Sequence, residues 1–208
     1  MSHPAFFDKV PPLQLQDPLG EFLGAFSTGE VAISYFDCVK LAGHSCPTVA
    51  SAYLMAQQGL ALLYPDTLPV RGGIRVAMRA EKTEGVTGVI GNVIAYIVGA
   101  NDESGFKGIG EHFSRRDLLS FGHASLEGMV MLTRIDNGRS VTLSSDTSVV
   151  PGSPHMMPLM QKAIQGTASS EEKAQFQALW QGRVEAMLSN PDLQTQIITI
   201  HSQGETLS

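Results

Sequence analysis

Gly43-His44-Ser45-Cys46-Pro47-Thr48-Val49-Ala50-Ser51-Ala52-Tyr53-Leu54-Met55-Ala56 sets a short turn directly in front of a helix. Gly43 stops whatever helix precedes it, because glycine readily takes the left-handed conformation found just past a helix end. Pro47 suits the first helical position, where its missing N–H would be unpaired anyway. Val49, Tyr53, Ala56, Leu60 and Leu63 then recur every three or four residues, a stripe that runs to Tyr64 and is closed by Pro65-Asp66. A buried helix launched from a kinked turn is therefore the centre of the fold.

Downstream, residues 74–79 alternate apolar and cationic side chains, the period-two pattern of a half-buried strand. Residues 86–98 read as an almost wholly apolar helix, with Gly88 and Gly91 permitting close approach of another backbone. Segments 126–135 and 140–145 flank Asp136-Asn137-Gly138, a hairpin signal because Asn-Gly tolerates positive φ. Upstream, 21–42 reads as a helix, although Val31-Ala32-Ile33 is also strand-like. Pro4, Pro11, Pro12 and Pro18 make 1–20 an extended lead-in. After the hinge-like Pro151-Gly152-Ser153-Pro154, residues 156–164 and 171–188 are helical, with Ser169-Ser170 as a start signal and Asn190-Pro191 as a stop. Residues 196–201 read as a last strand. This order predicts an α+β fold: a small mixed β-sheet packed against helices over 21–150, and a helical appendage with a terminal strand over 151–208.

Composition narrows the function classes. The 208 residues are 43% hydrophobic and 16% charged, which excludes a disordered chain or a coiled coil. Twenty acidic against fourteen basic residues give a net charge of −6, unsuited to coating nucleic acid, which needs clustered cations. No apolar run reaches the roughly 18 residues of a spanning helix, so no membrane partner is expected. Met1-Ser2-His3-Pro4-Ala5 lacks a basic region followed by an apolar core, so no signal peptide is recognisable and a cytoplasmic location is expected. Cys38 and Cys46 are the only cysteines, too few for a disulfide framework or a four-cysteine zinc site. Any metal site must be mixed.

Asp37-Cys38 followed by His44-Ser45-Cys46-Pro47 is the strongest local constellation. Thiolate and imidazole both ligate a borderline-soft cation such as zinc. Cys46 lies where unpaired N–H groups and the helix dipole favour a thiolate, which suits metal ligation or nucleophilic chemistry equally. The plainer alternative makes both cysteines small buried side chains and His44 a turn residue. Cys38, His112 and His123 are further ligand candidates. His155 sits beside Met156-Met157, which read as core, and His3 and His201 look peripheral. Glu84 or Glu111 could serve as ligand or base. Lys107, Arg115 and Arg116 among Gly99, Gly105, Gly108 and Gly110 form the one cationic cluster, suited to a phosphate or carboxylate. Neither the P-loop nor the dinucleotide fingerprint is present.

Gly43-His44-Ser45-Cys46-Pro47, the helix after it, the strand at 74–80, the helix after Gly85-Val86 and the loop Phe106-Lys107-Gly108-Ile109-Gly110 together resemble the FmdE family. That family takes its name from one of the chains of formylmethanofuran dehydrogenase, and the similarity spans roughly residues 25–145. The resemblance implies an α+β core with a mixed sheet, a homodimer, and a cleft metal or cysteine site around His44 and Cys46. The chain departs from the family pattern at Thr48, where a glycine is usual, and at Ala42, where a further histidine is common. It has no cysteine near Glu84-Gly85 or Gly99-Ala100-Asn101 and lacks the cysteine-rich tail. A dithiol mechanism is therefore not expected.

The leading expectation is an FmdE-like metal-binding protein, holding a divalent metal, zinc first, through His44 and Cys46 with Cys38 and His112 as further ligands. Open positions on that metal would bind a small anionic or thiol-bearing ligand, the metal would act as Lewis acid or activate water, and Lys107 and Arg115 would be cofactor-binding residues on a phosphate or carboxylate. Haem or another redox metal stays open, since His and Cys also ligate haem iron. Two alternatives stand beside it. One is a non-catalytic accessory module that docks a partner through 154–190 and Trp180. The other is a thiol enzyme with Cys46 as nucleophile and His44 as base.

Overall fold

The computed structural model describes residues 3–205; the outermost residues of the 1–20 lead-in and of the 151–208 segment lie outside them. A 3-10 turn, Ala5–Lys9, buries Phe6 and Phe7. Strand β1, Leu13–Gln16, follows and pairs antiparallel with β2, Glu30–Ile33, across the short helix α1, Pro18–Phe22. The lead-in thus carries a strand, and the helix expected over 21–42 is broken: only α2, Tyr35–Ala42, is a full helix there. Ser34 explains the break. Its hydroxyl accepts from the Asp37 N–H at 3.1 Å, while the Asp37 carboxylate accepts the Ser34 N–H at 2.9 Å. A helix that begins with its own reciprocal cap does not continue an earlier one. Val31-Ala32-Ile33 adopts its strand-like reading.

Gly43, at φ 74°, ends α2 in the left-handed region. Helix α3, Pro47–Leu63, begins with Pro47 in its first turn. It is buried on almost every side, because it lies between the sheet and its helical neighbours. Gly59 lets it approach the sheet: a Cβ there would stand 2.7 Å from Leu132 Cδ1. Strand β3, Ile74–Met78, buries Ile74, Val76 and Met78, as its alternation requires. Helix α4, Thr87–Val98, packs against α3 and α2 with its valines and isoleucines inward.

Short strand β4, Leu119–Ser120, lies parallel to β3. Strands β5, Val130–Arg134, and β6, Arg139–Ser145, form the expected hairpin, with Gly138 at φ 72°. Helices α5, Met156–Ile164, and α6, Ser170–Ser189, pack on each other, and α6 also lies on α3 through buried Val184, Met187 and Leu188. Ser169 caps α6 in a reciprocal box with Glu172. Helix α7, Pro191–Ile197, leads into β7, Ile198–Glu205, which pairs antiparallel with β6. The five-stranded sheet therefore runs β4-β3-β5-β6-β7, mixed because only β3 and β4 are parallel. The fold is α+β, a small mixed sheet packed against helices. Among the described residues no helix is long and apolar enough to cross a membrane.

One electrostatic clamp ties the irregular segments to this frame. Asp17, only 4% exposed, caps α1 by accepting the Gly20 N–H at 2.9 Å. Its carboxylate also receives Arg71 Nη1 at 2.8 Å and Arg115 Nη2 at 2.7 Å. Arg71 donates further to the carbonyls of Tyr96 and Ile97 at the end of α4, and Arg115 to that of Gly99. Gly99 has to be glycine here: φ is 68°, and a Cβ would lie 2.1 Å from Arg115 Nη1. Gly99→Ala should lower unfolding free energy by about 1–3 kcal/mol with the helical circular dichroism retained. A urea titration checks this.

Candidate functional site

The turn between α2 and α3 places its three central side chains in three different environments. Cys46 is the N-cap of α3, only 7% exposed, and its Sγ accepts the Val49 N–H at 3.5 Å. Ser45 is clamped from both sides. Its hydroxyl donates to Gln181 Oε1 at 3.0 Å, so the Tyr35 hydroxyl, 2.9 Å away, is the donor to Ser45 Oγ. The Ser45 carbonyl accepts from Trp180 Nε1 at 2.8 Å and from Gln181 Nε2 at 3.5 Å. His44 is exposed, its Nδ1 donating to the Ala42 carbonyl at 2.9 Å. That leaves Nε2 free beside an aromatic slot of about 300 Å³ formed with Phe176, Gln177, Trp180 and Gln181.

The other expected ligands lie elsewhere. Cys38 is fully buried in the core, and burial, followed by the nearby Asp37 charge, pushes its thiol up to about 12. His112 is exposed in the 99–118 loop beside Phe113, their ring centroids 6.1 Å apart. Lys107 and Arg116 are exposed in the same loop, whereas Arg115 is buried on Asp17. His123 pairs with Ser120 and His201 with Ser144, and His155 stands exposed before α5. His3 stacks on Phe36, and Glu84 and Glu111 are exposed. Among the described residues no three His, Cys, Asp or Glu side chains come together to hold a metal. Protein-held zinc needs three or four such ligands. His44, Cys46, Cys38 and His112 do not form that set.

A larger cleft opens on the other side of Ala42. It holds about 480 Å³ between the end of α2, one face of α4 and the loop 99–104. Arg71 and Asp102 line it, but both are already satisfied: Arg71 by Asp17 and α4, Asp102 by Lys82 at 3.0 Å and by Ser104. These contacts, Ser104 first and then Lys82, hold the Asp102 carboxyl well below the usual carboxylate range. Three neutral polar side chains remain on the walls: Asn92, Tyr96 and Asn101. No side-chain hydrogen bond ties any of them to another described residue. Burial, then the Asp37 charge, raises the Tyr96 phenol, so it stays an O–H donor. The sequence does carry a signal for this cleft: Asn92 and Tyr96, four apart, are the polar pair on one face of an otherwise apolar helix.

Compared with known proteins, the chain matches no protein-family model, and no curated protein matches it at a significant level.

The Cys38 thiol also sets a pH dependence. Its ordinary value of 9.0 applies to the unfolded chain, and about 12 to the folded one. Below pH 9 both states keep the proton and stability is full; between pH 9 and 12 the unfolded state loses it first and stability falls. In Cys38→Ala the denaturant midpoint should decline less steeply over that range. The slope that persists belongs to Tyr35 and Tyr53, whose hydroxyls burial also raises.

Proposed function

We propose that this protein binds a small, uncharged, hydrogen-bonding molecule in the cleft between α2, α4 and the 99–104 loop. The observation that carries this is the set Asn92, Tyr96 and Asn101, three polar side chains on one cleft with no protein partner among the described residues. Two carboxamides and a phenol offer donors and acceptors without charge. The charged side chains on its walls each already have an opposite partner, Arg71 on Asp17 and Asp102 on Lys82, so none is offered unpaired to an ion. Val89, Val93 and Leu119 supply the apolar walls usual for a small-molecule site. Acetamide is a suitable probe, followed by the side-chain amide signals of Asn92 and Asn101 in nitrogen-edited NMR. Those signals should move on titration, and Tyr96→Phe should weaken the effect by about tenfold. Acetate moving the same signals as strongly, or acetamide leaving them still, would remove the proposal.

A second reading keeps a divalent metal, zinc first, at His44. It is favoured by one feature: Nδ1 is fixed on a backbone carbonyl and Nε2 points outward, the arrangement in which a metal-bound imidazole is held. The remaining ligands would come from a second copy of the chain, which links this reading to an FmdE-like homodimer. Metal analysis of the purified protein should then find bound metal at a fixed ratio, and His44→Ala should lose it; equal content in both proteins contradicts the reading. A cytoplasmic setting belongs to the same proposal, supported by two unpaired thiols.

A further inference from the structure

On the far side of Arg71 lies a separate cleft of about 320 Å³, walled by Pro18, Leu19, the turn 70–73 and residues 112–115. Its polar side chains are Arg71, Arg115, His112 and Ser114, and among the described residues no carboxylate forms part of its walls. In a chain of net charge −6 that is a departure from the average surface. The charge beneath it does not cancel. Two guanidiniums share one carboxylate, with Arg115 and Asp17 side chains 8% and 6% exposed and Arg71 16%. The end of α4, which receives Arg71, offsets about half a charge more. A positive remainder stays at the base of the cleft, on the side of Arg115.

Several donors of the residues that line this cleft are unspent. Arg115 spends Nη2 on Asp17 and Nη1 on Gly99, and its Nε–H has no acceptor among the described residues. Ser114 accepts from the Arg116 N–H at 3.3 Å, so its own hydroxyl proton is unspent, and its backbone N–H makes no bond among the described residues. The His112 ring likewise has no hydrogen-bond partner there. The loop is held in this shape at a cost: Phe113 sits at φ 62°, in a region non-glycine residues rarely adopt. Strain of this kind clusters at ligand sites. Gly72, at φ 78°, makes room, since a Cβ there would lie 2.8 Å from Arg115 Nη1.

We infer that this cleft binds a phosphate group, with Arg115 and Ser114 as its main donors and His112 at the rim. To these four donors a phosphate presents three terminal oxygens and up to two charges, where a carboxylate presents two oxygens and one charge. The two clefts share Arg71 as a wall, but none of Asn92, Tyr96 or Asn101 belongs to this one.

Inorganic phosphate is the probe, titrated calorimetrically and by thermal unfolding against acetate and chloride at matched ionic strength. Phosphate should bind measurably and raise Tm more than either. Ser114→Ala and His112→Gln, both at exposed positions, should each weaken phosphate binding by about three- to tenfold with unchanged Tm in its absence. Arg115→Lys should abolish binding, and the two surface variants keep the test decisive if that protein fails to fold. Phosphate, acetate and chloride acting alike, or phosphate binding undiminished in both surface variants, overturns the inference. Ser114 and His112 lie outside the neutral cleft, so with those two variants phosphate and acetamide binding fail separately.

Discussion

The Asp17 carboxylate, held between two arginines, is the interaction on which the arrangement of both clefts depends. It joins residues 54 and 98 positions away in the chain. Each partner lies in a segment with little regular structure: Arg71 in the turn before β3, Arg115 in the long loop after α4. Backbone bonds reinforce the junction, from Gln16 N–H to the Pro69 carbonyl, Arg71 N–H to that of Gln16, and Gly72 N–H to that of Val98. A buried pair of charges contributes little net stability compared with well-packed apolar groups, because desolvation offsets the attraction. Breaking it is another matter, since a guanidinium left alone in the interior is strongly unfavourable. The clamp therefore acts chiefly on arrangement: other placements of these loops strand a charge.

The turn at 43–47 shows why a motif and its geometry can part company. Its side chains at 44 and 46 invite the thought of a shared ligand, because both residue types bind metals. In the fold the intervening Ser45 makes the long-range contacts, to Tyr35, Trp180 and Gln181. Cys46 meanwhile serves as a helix cap, a role normally filled by Ser, Thr, Asp or Asn, with a weaker sulfur acceptor. The contacts from Trp180 and Gln181 come from α6, more than 130 residues later, so nothing in the local sequence announces them.

Legibility follows the range of the forces involved. α3, β3, α4, the β5–β6 hairpin and α6 are all readable from periodicity, proline and glycine placement and caps, since each is fixed by neighbours within a few residues. The upstream segment misleads because its apolar residues are dense enough to suit a helix, while the Ser34–Asp37 box that starts α2 is polar, short and easily overlooked. The small sheet of β1 and β2 depends on pairing across fourteen or more residues. For the sites, Asn92 and Tyr96 stand out as a polar pair on an apolar helix. The Asp17–Arg71–Arg115 cluster does not: Arg115 looks like one more cation of a solvated loop until the fold brings Asp17 to it.

Arg71 forms part of both cleft walls, yet the two clefts differ in electrostatic character, and the reason is how its donors are spent. Each of its three nitrogens already donates once, Nε and Nη2 to the carbonyl end of α4 and Nη1 to Asp17. What remains in the larger cleft without a partner among the described residues is neutral amide and phenol. Arg115 receives only the other half of that carboxylate and a single longer bond to Gly99, at 3.3 Å. With one oxygen of the carboxylate each, two guanidiniums leave a surplus cation, and the α4 carbonyls that Arg71 engages offset its side more. A single buried acid thus sorts two adjoining hollows by charge, which a chain with paired acids for each arginine would not do.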